Sequence, residues 1–416
     1  MKALHRKRLA QAIAAATALG GATLLHAAFE EVTGSKNPFK AVTSGGDYPS
    51  IVMMDLDNDG DLDLVMFHRY TDDNYPFSDD FFSVWENIGD AEEASFAQVG
   101  DYNDGYGYGY GDGVNIDENP FVYTTNYGHP VTAFDISGDG TLDFLTGTLE
   151  GDYAAPRYFR VETEGGVVTG ITRFDGGESS VDNPFYGTGQ TLTPSALNYG
   201  YASSIAIGDL TNNGRPDLIV ADAYTVRAFE NVNTVDGRFQ FTAMTSDLFP
   251  LELDSPIYLG APMVLHDIDG DGDLDLIMGT SRAGNMRLFL NKGSAATPDF
   301  EEVTDEAGEL GLDITTRGWA APTFADITGN GIAELIVVER FETAPEDRPK
   351  DSSAPLFIVD LAIEQEIRLF ARTPAEEEEE ESETTAEEKK KKGKLFGGLG
   401  TGLLASFGLL LLRRRR

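Results

Sequence analysis

Five copies of a nine-residue pattern place oxygen-bearing side chains at alternate positions, and these are the residues of the chain best suited to chemistry. Positions 1 and 9 are acidic, positions 3 and 5 carry a carboxylate, amide or hydroxyl, and position 6 is Gly. Ca²⁺ takes about six to eight oxygen ligands from such groups, from main-chain carbonyls and from water. The pattern therefore predicts five calcium loops, numbered 1 to 5 in chain order. They are DLDNDGDLD (55–63), DISGDGTLD (135–143), DLTNNGRPD (209–217), DIDGDGDLD (267–275) and DITGNGIAE (326–334).

We expect the metal ligands at positions 1, 3, 5, 7 and 9, with position 7 contributing its main-chain carbonyl. The Gly at position 6 suits a loop that must turn through a left-handed conformation. The predicted ligands are Asp55, Asp57, Asp59, Asp61 and Asp63 in loop 1; Asp135, Ser137, Asp139, Thr141 and Asp143 in loop 2; Asp209, Thr211, Asn213, Arg215 and Asp217 in loop 3; Asp267, Asp269, Asp271, Asp273 and Asp275 in loop 4; and Asp326, Thr328, Asn330, Ile332 and Glu334 in loop 5.

The five loops differ in charge. Positions 1, 3, 5 and 9 supply four carboxylates in loops 1 and 4, three in loop 2, and two in loops 3 and 5. Affinity for calcium follows ligand charge and rigidity, so loops 1 and 4 are expected to bind most tightly. For loops 3 and 5 the alternative is a tight turn without metal, held by side-chain hydrogen bonds to the backbone.

The residues behind each loop predict strands. An EF-hand has a Glu at position 12 and flanking helices, whereas position 12 here is Met66, Thr146, Val220, Met278 or Val337. These residues lie in short runs such as LDLVMF, PDLIVA and AELIVV. Apolar runs of this length, rich in β-branched and aliphatic residues, are typical of buried strands. Each calcium loop is therefore expected to join two strands.

A second motif follows the loops, and together they resemble the FG-GAP/VCBS repeat family. The motif is VWENIG (84–89), AFENVN (228–233) and LFLNKG (288–293), each followed by another short strand-like run. Repeats of that family form the blades of integrin-type β-propellers, with a Ca²⁺ loop inside a blade. The resemblance covers roughly residues 29–372 and implies an all-β propeller. It says less about function, because one fold can host many activities.

The spacing of the loops predicts about five blades. Successive loops begin 80, 74, 58 and 59 residues apart, which suits four-stranded blades with variable insertions. Six or seven blades remain possible if a degenerate blade lies in the long insertions. The sequence FEEVT occurs at 29–33 and again at 300–304. We therefore expect the first copy to add an outer strand to the last blade, which would close the ring and remove an exposed edge.

The two ends of the chain are predicted to lie outside the propeller (29–374). Residues 1–28 have a basic start and an apolar stretch before Ala27 and Ala28, typical of a secretory signal peptide. An anchored helix is the alternative. Residues 375–394 are charged runs expected to form a disordered stalk. Residues 395–416 combine an apolar stretch with Arg413–Arg416 and resemble the GlyGly-CTERM sorting signal of Gram-negative bacteria. That resemblance implies membrane contact before cleavage by a rhombosortase-like protease, then type II secretion; a permanent anchor is the alternative.

The composition limits the possible partners. The 416-residue chain carries 70 acidic and 31 basic residues, a net charge of −39, and no cysteine. Such a charge repels nucleic acid and attracts cations, and the absence of cysteine excludes disulfides and thiol chemistry. No HExxH, GxSxG or P-loop pattern occurs in a suitable context. Outside the predicted signal the histidines are His68, expected at an exposed strand end, His129, and His266 beside loop 4.

Tyr and Gly alternate in 100–113, with related segments at 126–130 and 198–202. Rings on such a loop suit stacking on sugars or contact with a protein; a blade-end insertion without ligand is the alternative. The sequence thus predicts an exported, calcium-binding β-propeller that acts as a surface or secreted adhesion module for protein or polysaccharide. The alternative is a calcium-dependent polysaccharide lyase or hydrolase, which a deep acidic pocket with His129 or Arg69 would favour.

Overall fold

The computed structural model describes residues 28–42, 47–70, 79–89, 94–99, 130–147, 156–174, 182–186, 204–221, 226–244, 261–294, 296–303, 310–343 and 362–372. The predicted signal peptide (1–28) lies, except for its last residue, outside these residues. The Tyr/Gly segment, the stalk and the sorting segment also lie outside them. Within the described ranges, no helix combines the length and the apolar character that crossing a membrane requires.

The fold consists of five antiparallel four-stranded sheets, which are the blades of a β-propeller. Strands are given from first to last in each sheet. Blade 1 contains Asp47–Met54, Asp63–Tyr70, Asp79–Asn87 and Phe96–Val99; blade 2 contains Val131–Phe134, Asp143–Thr146, Arg157–Glu164 and Val167–Phe174; blade 3 contains Ser204–Gly208, Asp217–Ala221, Val226–Val235 and Arg238–Ala243; blade 4 contains Met263–His266, Asp275–Met278, Arg287–Asn291 and Phe300–Val303; and blade 5 contains Trp319–Ala325, Glu334–Thr343, Ala362–Ala371 and Glu30–Val32.

The five blades close into a ring around their first strands. The first strand of each blade contacts the first strands of both neighbouring blades, and the first strand of blade 5 returns to that of blade 1. The prediction of about five blades is therefore confirmed, and the described residues contain no sixth four-stranded sheet. A small additional sheet pairs Gly284–Asn285 with Thr315–Thr316 between blades 4 and 5.

The second strand of each blade explains the continuous apolar runs behind the loops. It is packed between two neighbouring blades, so both of its faces are buried and alternation with polar residues is lost. Phe144 of blade 2, for example, has no exposed surface and stacks on Phe82 of blade 1 with ring centroids 5.3 Å apart. The position 10 side chains, which anchor the loops, are all fully buried. They are Leu64, Phe144, Leu218, Leu276 and Leu335.

The N-terminal strand completes blade 5, as its sequence predicted. Glu30, Glu31 and Val32 pair with Ala371, Phe370 and Leu369 in an antiparallel register. Two short 3₁₀ helices follow, Gly34–Lys36 and Pro38–Ala41. Phe39 in the second helix stacks on Phe96 of blade 1, with ring centroids 4.9 Å apart. The first described residues thus connect the last blade to the first.

Candidate metal centres

All five loops connect the first and second strands of their blades. Loop 1, for instance, leaves the strand Asp47–Met54 and enters the strand Asp63–Tyr70. Because the five blades share one topology around the ring, the loops emerge on the same face of the disc. The prediction that each loop joins two strands is therefore confirmed, and position 9 is in every case the first residue of the second strand.

The carboxylate at position 1 organises each loop by accepting main-chain N–H groups. In all five loops one of its oxygens accepts the N–H of the position 6 Gly, at 2.7–3.1 Å. Those glycines have positive φ, from +78° to +98°, a conformation that a side chain disfavours. This confirms the conformational role predicted for Gly60, Gly140, Gly214, Gly272 and Gly331.

The acid at position 9 is buried in every loop and joins the loop to the rest of its blade. In loop 1 the Asp63 oxygens accept the N–H of Leu56 at 2.9 Å and that of Asn87, in the third strand, at 2.7 Å. In loop 4 Asp275 accepts in the same way from Ile268 and Asn291, both at 2.8 Å. Burial raises the pKa of Asp63 to about 6 and that of Asp275 to about 7. A buried carboxylate of this kind gains most from a nearby cation.

Loops 1 and 4 bring three carboxylates together. One carboxylate oxygen from each of Asp55, Asp57 and Asp63 lies within 4.8 Å of the other two, and the same holds for Asp267, Asp269 and Asp275. In the part of the chain that the structure describes, these are the two groups of three or more acidic or His side chains with such spacing. They could hold a metal ion, and they occur in the two loops with the highest predicted charge.

Two buried oxygens support this fit. Oδ1 of Asp61 in loop 1 and Oδ1 of Asp269 in loop 4 are buried without a hydrogen-bond partner among the described residues. A buried oxygen without a donor is costly unless something else satisfies it. The donor set, made only of hard oxygens, suits Ca²⁺. Asp61 was expected to contribute its carbonyl, and its side chain is an additional candidate ligand.

Loop 2 satisfies its buried acid with protein donors. Asp143 accepts the N–H of Ser137 at 2.9 Å, the N–H of Val161 at 2.8 Å and the hydroxyl of Tyr158 at 3.0 Å. Three donors compete with any cation for the oxygens of this carboxylate. Although loop 2 has three acids, they do not form one of the close three-carboxylate groups.

Loop 3 has two carboxylates at positions 1, 3, 5 and 9, and a basic residue at position 7. Position 7 is Arg215, whose Nε donates to the carbonyl of Asn231 in the third strand at 2.6 Å. The Asn213 amide Oδ1 accepts the N–H of Arg215 at 2.9 Å, and Asp217 accepts both the N–H and the hydroxyl of Thr211 at 3.1 Å. The loop is thus closed by its own hydrogen bonds and carries a cation of its own. These hydrogen bonds agree with the metal-free turn that is the alternative drawn from the sequence, and the metal ligands of loop 3 stay a prediction.

Loop 5, like loop 3, contains hydrogen bonds between its own side chains and main chain. The hydroxyl of Thr328 donates to Glu334 at 2.9 Å, and the N–H of Ile327 donates to the other oxygen at 2.9 Å. Asn330 accepts the N–H of Ile332 at 2.7 Å. Positions 1, 3, 5 and 9 supply only two carboxylates in loop 5, whereas they supply four in loops 1 and 4.

The residues next to loops 1 and 4 distinguish these two candidate centres. Nζ of Lys292, which follows the third strand of blade 4, lies 3.4 Å from the carboxylate of Asp269. The equivalent residue in blade 1 is Ile88, which is apolar and 61% exposed. A positive charge at this distance opposes a metal ion, so electrostatics favours calcium at loop 1 over loop 4.

Each of the two histidines that the structure describes is packed against a neighbouring side chain. The prediction that His68 marks an exposed strand end is wrong, because the strand continues to Tyr70 and the ring is buried against the hydroxyl of Ser83, 3.0 Å away. Burial lowers the pKa of His68 to about 3. His266 ends a strand beside loop 4, as expected, and stacks on Phe324 with ring centroids 4.1 Å apart. His129 and the side chain of Arg69 lie outside the described part of the structure.

Two kinds of residue were not recognised as part of the loops from the sequence. One is the Asn of the second motif. Oδ1 of Asn87, for example, accepts the N–H groups of Gly89 and Ser95, and the N–H of Asn87 donates to Asp63 at position 9 of loop 1. Arg372 contacts loop 4 from blade 5. Strand pairing aligns it with that Asn, since Leu335 pairs with Phe370 as Leu64 pairs with Trp85. Aligning LFARTP (369–374) with VWENIG (84–89) could have revealed this position.

Comparison with known proteins supports the repeat. The family model of the FG-GAP-like repeat matches residues 267–337, which include loops 4 and 5. Within residues 267–337 the chain is therefore similar to an FG-GAP-like repeat. Integrin alpha-7 of Mus musculus is 28% identical over 187 residues, 42% of this chain and 15% of the integrin. Integrin alpha-7 of Homo sapiens is 27% identical over 158 residues, 37% of this chain and 13% of the integrin. The chain thus spans less than a sixth of the length of these relatives.

Two solved structures are also similar to the chain. One is a lectin of Agrocybe aegerita described as recognising non-reducing terminal N-acetylglucosamine, with 14% identity, coverage of 71% of this chain and 77% of that chain, and a TM-score of 0.31. The other is the exotype rhamnogalacturonan lyase YesX, with 14% identity, coverage of 75% and 57%, and a TM-score of 0.27. Neither likeness is high enough to support a statement about ligand or activity.

Proposed function

We propose that this protein is a calcium-stabilised β-propeller that acts as a binding module, with Ca²⁺ held at loops 1 and 4. The observation that carries the proposal is the pair of three-carboxylate groups, Asp55/Asp57/Asp63 and Asp267/Asp269/Asp275. In the folded chain the three negative carboxylates of each group repel one another, and Asp63 and Asp275 are also buried. A cation that binds the folded loops but not the unfolded chain stabilises the fold by mass action.

Calcium has a structural role in this proposal. In loops 1 and 4 the position 9 acid connects the loop to the third strand of its blade, so a metal that fixes the loop also fixes the blade. Loop 1 also contacts the neighbouring blade, because the N–H of Val168 in blade 2 donates to the carbonyl of Leu56 at 2.8 Å. The metal would thus hold together parts of two blades and give the disc a fixed shape from which loops contact a partner.

The partner is proposed to be a protein or a polysaccharide outside the cell. The similarity of part of the chain to integrin alpha-7 supports an adhesion role, and the net charge of −39 disfavours nucleic acid as a partner. Export rests on the signal-like residues 1–28 and on the resemblance of residues 395–416 to a sorting segment. We propose that the mature protein reaches the surface or the medium of a Gram-negative bacterium.

The metal part of the proposal is tested by thermal unfolding of the purified protein in EDTA and in millimolar CaCl₂. We expect a clear rise in Tm with calcium, which the double substitutions Asp57→Asn with Asp59→Asn, or Asp269→Asn with Asp271→Asn, each reduce. The matched control replaces Thr211 and Asn213 of loop 3 by Ala and should leave the calcium effect unchanged. Identical melting curves in EDTA and calcium for the unsubstituted protein would refute a calcium role.

The binding part is tested separately on arrays of polysaccharides and surface proteins, probed in calcium and in EDTA. We expect retention on a defined class of ligand that is lost when EDTA loosens the loops. Intact mass of protein recovered from its host tests export, since processed protein would lack the N-terminal residues and Arg413–Arg416. Retention of both segments would contradict the proposed route.

A further inference from the structure

A buried arginine from the closing blade is fixed on loop 4. The side chain of Arg372, directly after the strand Ala362–Ala371, is only 6% exposed. Its Nη2 donates to the carbonyl of Ile268, which is position 2 of loop 4. A residue of blade 5 therefore contacts the metal loop of blade 4 through its charged group. A guanidinium remains protonated in proteins even when it is buried, so this charge is permanent.

The charge acts on the carboxylates of the candidate metal centre. Burial lowers the pKa of Arg372, whereas the charges of Asp267, Asp269 and Asp275 raise it. These three acids are the members of the loop 4 group. The positive guanidinium and these negative carboxylates attract one another. The guanidinium thus neutralises part of the charge that a metal would neutralise.

The same guanidinium contacts the segment that closes the ring. It lies over the ring of Phe29, 3.9 Å from the centroid. Phe29 directly precedes the closing strand Glu30–Val32, and its N–H donates to the carbonyl of Leu310 at 2.8 Å. One side chain therefore connects the metal loop of blade 4 to the closing segment at blade 5.

Among the five blades, an arginine occupies this aligned position only in blade 5. The aligned position is Asn in blades 1, 3 and 4, and Val161 in blade 2. Asn87 in blade 1 uses its Oδ1 for the N–H groups of Gly89 and Ser95, at 3.2 and 2.9 Å. Loop 1 has no cationic side chain placed like Arg372 among the residues described for it, so it provides an internal comparison.

We propose that Arg372 is a resident counter-charge of loop 4, which holds this loop to the closing segment without metal and lowers its affinity for Ca²⁺ relative to loop 1. The predicted lower Ca²⁺ affinity of loop 4 rests on the proposed calcium function. The predicted contact between Arg372 and loop 4 in the metal-free protein does not depend on that function. Arg372 acts as a positioning residue here, through the loop carboxylates.

The affinity is tested by calorimetric Ca²⁺ titration of the full chain in which Asp57→Asn and Asp59→Asn have disabled loop 1. Arg372→Gln should lower the Kd of the remaining site by about tenfold, because a fixed positive charge is removed. Arg372→Lys retains the charge and should leave the Kd within about twofold. An unchanged Kd in Arg372→Gln, or an equal decrease in both variants, would overturn the proposed effect on affinity.

The metal-free contact is tested by thermal unfolding in EDTA with Arg372 intact, so that it remains decisive if Arg372→Gln does not fold or if no calcium binds. Asp269→Asn removes a counter-charge of Arg372 and should lower Tm, whereas Asp57→Asn in loop 1 relieves repulsion and should raise it. Both are measured against a Lys292→Gln background, which removes the exposed pair with Asp269. A rise in Tm for Asp269→Asn would show that Arg372 does not hold the loop.

Discussion

Arg368 in the third strand of blade 5 forms a two-pronged ion pair with Glu31 in the closing strand. Nε lies 2.8 Å from one carboxylate oxygen of Glu31 and Nη2 lies 2.9 Å from the other. Nη1 of Arg368 also contacts Glu339, which is fully buried, at 3.2 Å, and Arg317 contacts the other oxygen of Glu339 at 2.7 Å. Closure of the ring therefore depends on charge pairing as well as on the three-residue strand ladder.

This network predicts unequal effects for two conservative substitutions. Glu339→Gln removes a buried charge between two arginines and should lower the free energy of unfolding by about 3 kcal/mol. Glu31→Gln acts on a pair that is partly exposed and should cost about 0.5–1 kcal/mol, less in 1 M NaCl than in dilute salt because the pair is screened. Urea unfolding at both salt concentrations measures this, and a larger cost for Glu31→Gln than for Glu339→Gln would contradict the assignment.

The positive φ of the glycine at position 6 predicts that replacing it by Ala lowers the stability of the fold. Gly60 has φ +98° in loop 1 and would have open space around a Cβ, so a substitution is disfavoured by backbone conformation alone. Gly60→Ala should therefore cost about 1–2 kcal/mol and weaken calcium binding at loop 1. Gly284→Ala is the matched control, because Gly284 also has open space but no positive φ. Similar losses of stability in both variants would show that φ is not the cause.

Much of this fold could be predicted from the sequence because each blade is marked by a short pattern of residues that are close together in the chain. The fixed interval between Asp55 and Gly60, and the apolar residue at Leu64, repeat in phase in every blade. Five such repeats give the blade count. The closing strand was also predictable, since FEEVT at 29–33 resembles an outer strand of blade 4. These features depend on residues that are close in sequence or identical between repeats.

The features that were missed depend on contacts between distant residues. In loop 2, Tyr158 and Val161 donate hydrogen bonds to Asp143 from outside the loop. A count of carboxylates in the sequence could not show that these oxygens are already hydrogen-bonded and therefore less available to a metal ion. His68 was placed at a strand end because the strand's length was underestimated. Arg372 reaches loop 4 only because the ring places blade 5 beside blade 4.

Loop 3 predicts a change in calcium stoichiometry. The unsubstituted protein should bind two Ca²⁺, one at each three-carboxylate group. Replacing Thr211, Asn213 and Arg215 by Asp gives loop 3 the charges of loop 1 and removes the guanidinium that donates to Asn231. This variant should bind about one further Ca²⁺, as calorimetry would measure. If the unsubstituted protein already binds a third ion, and replacing Thr211 and Asn213 by Ala abolishes it, loop 3 is itself a metal site.

His68 predicts part of the dependence of stability on pH. Its folded-state pKa is about 3, against an ordinary value of 6.5, because burial disfavours the charged ring. Between these two values the unfolded chain binds more protons, so stability decreases as the pH falls below 6.5, by about 1.4 kcal/mol per pH unit from this group. His68→Gln keeps a polar group near Ser83, 3.0 Å from the imidazole, but cannot titrate. Urea unfolding in EDTA from pH 7 to pH 5 should therefore show a smaller loss of stability on acidification for His68→Gln than for the unsubstituted protein. Buried carboxylates such as Asp63 are present in both proteins, so parallel pH profiles would mean that burial does not lower the pKa of His68 in the folded state.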